Sequence, residues 1–107
     1  EEKRAIFNRL FTEHPEVDGV FADNDTNASL IIQVARKRGR HIPHDLKVVG
    51  FDGANMTRTL LPELTTIQQP IDEMAKRAVE LLQKRIAGEQ ATGSVQLPVK
   101  LIDGGTA

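Results

Sequence analysis

The sequence predicts an α/β fold with a mainly parallel sheet flanked by helices. Three observations carry that expectation. Val48-Val49-Gly50-Phe51-Asp52-Gly53 opens as an apolar run without alternation, the habit of a strand buried on both faces in a parallel sheet. A second run, Gly19-Val20-Phe21-Ala22, ends the same way, in short polar side chains. Between and around these runs lie segments with helical periodicity, so strands and helices alternate along the chain.

The elements follow in order. Ile6, Phe7, Leu10 and Phe11 fall at helical spacing and predict a first helix over Glu2–Glu13, stopped near Pro15. A strand over 17–22 follows. Ala28, Ile31, Ile32 and Ala35 share one face of a helix over 26–38. Arg36-Lys37-Arg38 then places cations at its negative dipole end, and Gly39 can close it in a left-handed cap. The loop 40–45 carries Pro43 and leads into a strand over 46–51. A short irregular or single-turn segment spans 56–61, and 64–67 is a third strand. Pro70 opens the longest helix at its first position, with Asp72 and Glu73 in the first turn. Its apolar stripe is Ile71, Ala75, Ala78, Val79, Leu82 and Ile86, and Gly88 ends it. After a polar loop over 89–94, residues 95–102 form a last strand that Pro98 confines to an edge.

Composition excludes several function classes. The 107 residues make one domain or part of one, and 14 basic against 15 acidic side chains leave a net charge of −1. That balance gives no electrostatic case for nucleic acid or a membrane surface on this chain. With no cysteine there is neither a disulfide framework nor thiolate chemistry, which fits a cytoplasmic protein. No apolar run reaches the roughly 20 residues of a membrane span. The chain begins at Glu1 inside a helical pattern, so it is expected to be a fragment of a longer product.

The chemistry-bearing residues gather at strand ends. In open α/β sheets ligands bind beyond the carboxyl ends of strands, where Asp52 and Asn24 stand. A carboxylate at Asp52 can accept hydrogen bonds from two adjacent hydroxyls, the way proteins hold sugars, although Asp-Gly is also an ordinary turn. Asn24 offers a donor and an acceptor. Either Asn24 or Asp25 can cap the following helix, with Asp25 the better candidate of the two. Gln68-Gln69-Pro70 closes the third strand and can supply another planar polar group, or serve as a polar linker. His41 and His44 are three apart, but a metal needs three or four convergent ligands, so they read as a solvated loop. Asp23-Asn24-Asp25-Thr26 faintly matches the Asp-x-Asp-x-Thr nucleophile loop of haloacid-dehalogenase-type phosphohydrolases, with the threonine one residue early. Arg36-Lys37-Arg38 is explained by the helix dipole; four Phe and no Trp or Tyr give no stacking surface for nucleic acid.

Taken in order, the segments resemble the C-terminal part of the effector-binding core of the lactose-repressor (LacI/GalR) family of transcriptional regulators. The resemblance runs through His14-Pro15-Glu16-Val17-Asp18-Gly19-Val20-Phe21-Ala22 and the Asn24-Asp25 pair. It continues in Arg38-Gly39-Arg40-His41-Ile42-Pro43, Asp45-Leu46-Lys47-Val48-Val49-Gly50-Phe51-Asp52-Gly53 and Pro62-Glu63-Leu64-Thr65-Thr66-Ile67-Gln68-Gln69-Pro70, and ends in Leu97-Pro98-Val99-Lys100-Leu101-Ile102. It implies a type I periplasmic-binding-protein-like fold of two Rossmann-like subdomains, of which this chain is a partial domain. On that reading 1–69 belongs to the C-terminal subdomain, 70–94 is a crossover helix of the N-terminal subdomain, and 95–107 returns. The helix stripe would then lack its proper partner, and would dock elsewhere or pair with another copy of the chain.

The resemblance further implies a non-enzymatic sensor whose small-molecule effector, a sugar in most relatives, sits in the cleft and shifts DNA affinity. Asn24, Asp52 and Gln69 would contact the effector. Met56 and Leu60 would lie at a homodimer interface, and operator DNA would be bound by a helix-turn-helix outside this chain. No cofactor, metal or membrane partner is implied. A periplasmic sugar-binding protein of the same fold is the alternative, and the phosphohydrolase a more distant one.

Overall fold

A computed structural model of the 107-residue chain describes residues 1–90 and 93–107. Two positions of the expected polar loop, 91 and 92, lie outside the described residues. The elements are α1 (Glu2–Glu13), β1 (Gly19–Phe21), α2 (Asp25–Lys37), β2 (Lys47–Asp52), a 3-10 turn (Asn55–Thr59), β3 (Thr65–Gln68), α3 (Ile71–Ile86) and β4 (Lys100–Ile102). The strands form one sheet in the order β1-β2-β3-β4, and the β1–β2 and β2–β3 pairs are parallel. The chain divides into two compact units, Glu1–Gln68 with Leu101–Ala107, and Gln69–Lys100.

The first unit holds the core. Phe11 of α1 and Ala28, Ile31, Ile32, Val34 and Ala35 of α2 pack with Ala22, Leu46, Val48 and Leu64, while Phe7, Val17, Val20, Ile42 and Leu60 cover the margins. Burying each such aliphatic or aromatic side chain is worth roughly 1.5–3 kcal/mol, and this cluster is what fixes α2 against β2. Along β2 the burial alternates: Val48 and Gly50 are buried, whereas Val49 and Phe51 are only half-buried. The expectation of a strand buried on both faces is therefore met on one face. On β1, Phe21 is 66% exposed.

The end of the chain is wedged against the starts of the strands. The Thr106 carbonyl accepts the Val48 N–H at 2.7 Å. The Thr106 hydroxyl donates to the Val48 carbonyl at 2.7 Å and accepts the Thr65 N–H at 2.9 Å. Thr65 Oγ1 in turn accepts the N–H groups of Gly104 and Gly105 at 3.0 and 3.2 Å. A Cβ on Gly104 would overlap the backbone of Glu63 and Leu64, so the tail can lie this close only as glycine.

Several elements differ from the sequence expectation at their ends. The first strand is Gly19–Phe21 rather than 17–22, because Val17 packs on the core from a loop. Pro70 stands one residue before α3, as its N-cap, instead of at the first helical position. The last strand is Lys100–Ile102 only; Pro98, with no N–H to give a ladder, marks the stretch that stays outside it. In the second unit α3 carries no buried residue, and Ile71, Val79, Leu82 and Ile86 are each more than half exposed. Among the described residues no helix is long and apolar enough to cross a membrane.

Candidate functional site

The register puts the polar strand ends along one edge of the sheet. Phe21 pairs with Val49, and Asp52 pairs with Gln68. Because these neighbouring strands are parallel, the residues that follow β1, the Asp52-Gly53 turn and Gln68 all emerge at their carboxyl ends. That edge is where α/β sheets of this kind hold ligands.

Asp52 is held in an uncommon backbone conformation, with φ at 130°, followed by Gly53 at 78°. A side chain in that region costs on the order of 1–3 kcal/mol and survives only where neighbours over-determine it. They do so here. On one side Asp52 is in register with Gln68, and a Cβ on Gly53 would collide with the Gln68 backbone and side chain, so only glycine fits. On the other side the Ala54 N–H donates to Asp25 Oδ2 at 2.7 Å. Asp52 itself is half-buried.

Of the two capping candidates, Asn24 and not Asp25 performs the capping. Asn24 is the N-cap of α2, and its Oδ1 accepts the Asn27 N–H at 2.8 Å. Asp25 is instead 1% exposed, with one carboxyl oxygen taking the Ala54 N–H and the other the Thr66 hydroxyl. Space for it exists because residue 50 is glycine; a Cβ there would overlap Asp25 Oδ1 and Leu64 Cδ2. The sequence carried two signals of this arrangement, a glycine in mid-strand and a threonine on β3. Neither names its partner.

The remaining candidates are less convergent. Gln69 directly follows β3 and begins the second compact unit. Met56 projects from the 3-10 turn and is 55% exposed, whereas Leu60 packs against the core. Leu61 beside it is 85% exposed, and its carbonyl accepts from Arg36 Nη2 at 2.7 Å. His41 Nδ1 lies 3.0 Å from Asp45 Oδ2, and among the described residues no three His, Cys, Asp or Glu side chains gather as metal ligands do. The backbone N–H of His41, then its ring, hold the Asp45 carboxyl below the usual value. For Glu16 a backbone hydrogen bond, then His14, do the same.

A family model described as a periplasmic binding protein-like domain matches residues 1–107. The chain belongs to this family. Its relatives are regulators of the LacI type, as the residue pattern implied. The chain is 36% identical over 103 residues to a ribose operon repressor of Halalkalibacterium halodurans, a match covering 95% of this chain and 31% of the relative. A LacI family transcriptional regulator from Arthrobacter sp. FB24, solved in complex with lactose, superposes with a TM-score of 0.85 at 31% identity, covering 97% of this chain and 40% of that one. The structure of the regulator CelR with cellobiose gives 0.88 at 32% identity, covering 98% and 32%. The chain thus spans about a third of the length of the curated relative it matches. Within the periplasmic binding protein-like family it corresponds to part of an effector-binding domain.

Proposed function

We propose that the chain is the portion of a sugar-responsive transcriptional repressor that supplies one wall of the effector site. The observation that carries this reading is the strand-end edge of the first unit, where Asp52 stands on a strained, braced turn beside the Asn24 cap. Asp52 would accept hydrogen bonds from two adjacent sugar hydroxyls. Asn24 Oδ1 is committed to Asn27, so its amide nitrogen would be the group that donates to the ligand. Gln69, which directly follows β3, would be a further effector contact. The names and titles of the relatives, a ribose operon repressor and regulators bound to lactose and cellobiose, support a saccharide over other small molecules.

In the whole protein the activity would be binding without catalysis, in the cytoplasm. Sugar would alter operator affinity only by its differential affinity for two arrangements of the protein. A homodimer would form through the 3-10 turn and its exit, with Met56 in the interface; Leu60 would support that surface from the core side. The operator would be met by a helix-turn-helix outside the present chain.

The test is calorimetry of the full-length protein against a panel of mono- and disaccharides, then of Asp52→Ala. One sugar is expected to bind, and the substitution is expected to weaken it by about tenfold or more, because a charge-assisted hydrogen bond is worth roughly 1.5–3 kcal/mol. Unchanged affinity in Asp52→Ala removes Asp52 from the site.

A further inference from the structure

We propose that Asp25 is the positioning residue of the effector site: its buried carboxyl group anchors the turn that aims Asp52. The inference rests on the reading of Asp52 as an effector contact. Three elements meet on Asp25. It is the first residue of α2, directly after the Asn24 cap. Its Oδ2 accepts the N–H of Ala54 at 2.7 Å, two residues beyond Asp52. Its Oδ1 accepts the hydroxyl of Thr66, which lies on β3 opposite Gly50. The side chain is 1% exposed, so both bonds lie out of bulk water.

The consequence concerns Asp52 alone among the site residues. A side chain at φ 130° relaxes unless both flanks of its turn are held. The β2–β3 register holds the preceding flank, and Asp25 holds the following one. Helix capping does not require Asp25, since Asn24 performs it. A carboxyl group taken out of water is costly, and here both its oxygens are spent on the loop and on β3 rather than on the helix it begins. Its place in the molecule is therefore explained by the turn.

The experiment compares Asp25→Ala, Asp25→Asn and Asp52→Ala in the full-length protein, by amide hydrogen exchange read by NMR and by sugar calorimetry. Asparagine keeps an oxygen for the Ala54 N–H and an amide that can donate to Thr66 Oγ1, so it serves as the rescue. In Asp25→Ala, exchange at Ala54 is expected to rise about tenfold or more, with the Asp52 and Gly53 signals moved, while core amides such as Ile31 and Val48 keep their protection. Affinity for the bound sugar is expected to fall by about tenfold, and to stay within about threefold of the unmodified protein in Asp25→Asn.

A merely structural role would move the core amides together with Ala54, and would overturn the proposal. So would full sugar affinity in Asp25→Ala where Asp52→Ala has lost it. If Asp52→Ala leaves sugar affinity intact, or no saccharide of the panel binds, the effector-site reading fails instead, while Ala54 exchange still decides whether Asp25 anchors the turn. Should Asp25→Ala not fold, Thr66→Val, near-isosteric on β3, carries the same test with smaller changes in the same direction.

Discussion

Thr65 and Thr66 are consecutive on β3 yet serve opposite ends of the fold. Thr65 Oγ1 accepts the N–H groups of Gly104 and Gly105 at the start of the strand, and Thr66 donates to Asp25 at the start of α2. Alternation along a strand sends neighbouring side chains to opposite faces, which is why adjacent threonines need not share a job. At an exposed corner, Asp45 Oδ2 accepts the His41 N–H at 2.8 Å and faces the His41 ring at 3.0 Å. Its folded pKa lies below the ordinary 3.8, so its contribution to stability is present above that value and lost as pH falls through the lower folded pKa. A carbon-13 titration of the carboxyl group is expected to show the depression, and His41→Ala is expected to retain most of it, because the backbone N–H is the larger cause. An ordinary Asp45 titration would contradict the contact. Asp52 and Asn24 were legible as site candidates because position after a parallel strand is a local property. The partners of Asp25 were not legible, because a carboxylate at a helix start has the signature of a cap and they stand 29 and 41 residues away.

Helix α2 and its N-cap hold two side chains whose substitutions should act in opposite directions. Asn24→Ala removes the cap on the Asn27 N–H and is expected to destabilise the protein by about 0.5–2 kcal/mol. Ser29 Oγ is buried and has no hydrogen-bond partner among the described residues. Ser29→Ala discards that unpaired hydroxyl and improves helix propensity, so it is expected to stabilise by up to about 1 kcal/mol. Urea unfolding of both variants checks the pair; a stabilising Asn24→Ala would remove the cap from the account. Periodicity found the helices well, since α1 and α2 fall close to their expected bounds. It overran the strands, because an apolar run does not by itself form ladder hydrogen bonds. Val17 packs on the core without belonging to β1, and the apolar Val95 and Val99 precede β4 without joining it.

At the scale of the whole molecule, the described residues include a helix face that is apolar and exposed. The stripe of α3 includes Leu82 at 59% and Ile86 at 78% exposure. The chain spans 31% of the ribose operon repressor it resembles. On the proposed reading, this chain would contribute the Asp52 carboxylate on its braced turn and the Asn24 amide, with Gln69 as a further contact. The family was legible through the ordered set of segments, while the choice of sugar was not, because short carboxylate and amide side chains can bond to the hydroxyls of any saccharide. The most direct test is a crystal structure of the full-length protein with the sugar selected by calorimetry. The account predicts Asp52 accepting hydrogen bonds from two adjacent hydroxyls, with the Asn24 amide nitrogen within reach of the same ring. A sugar bound in the protein without touching Asp52 would contradict it.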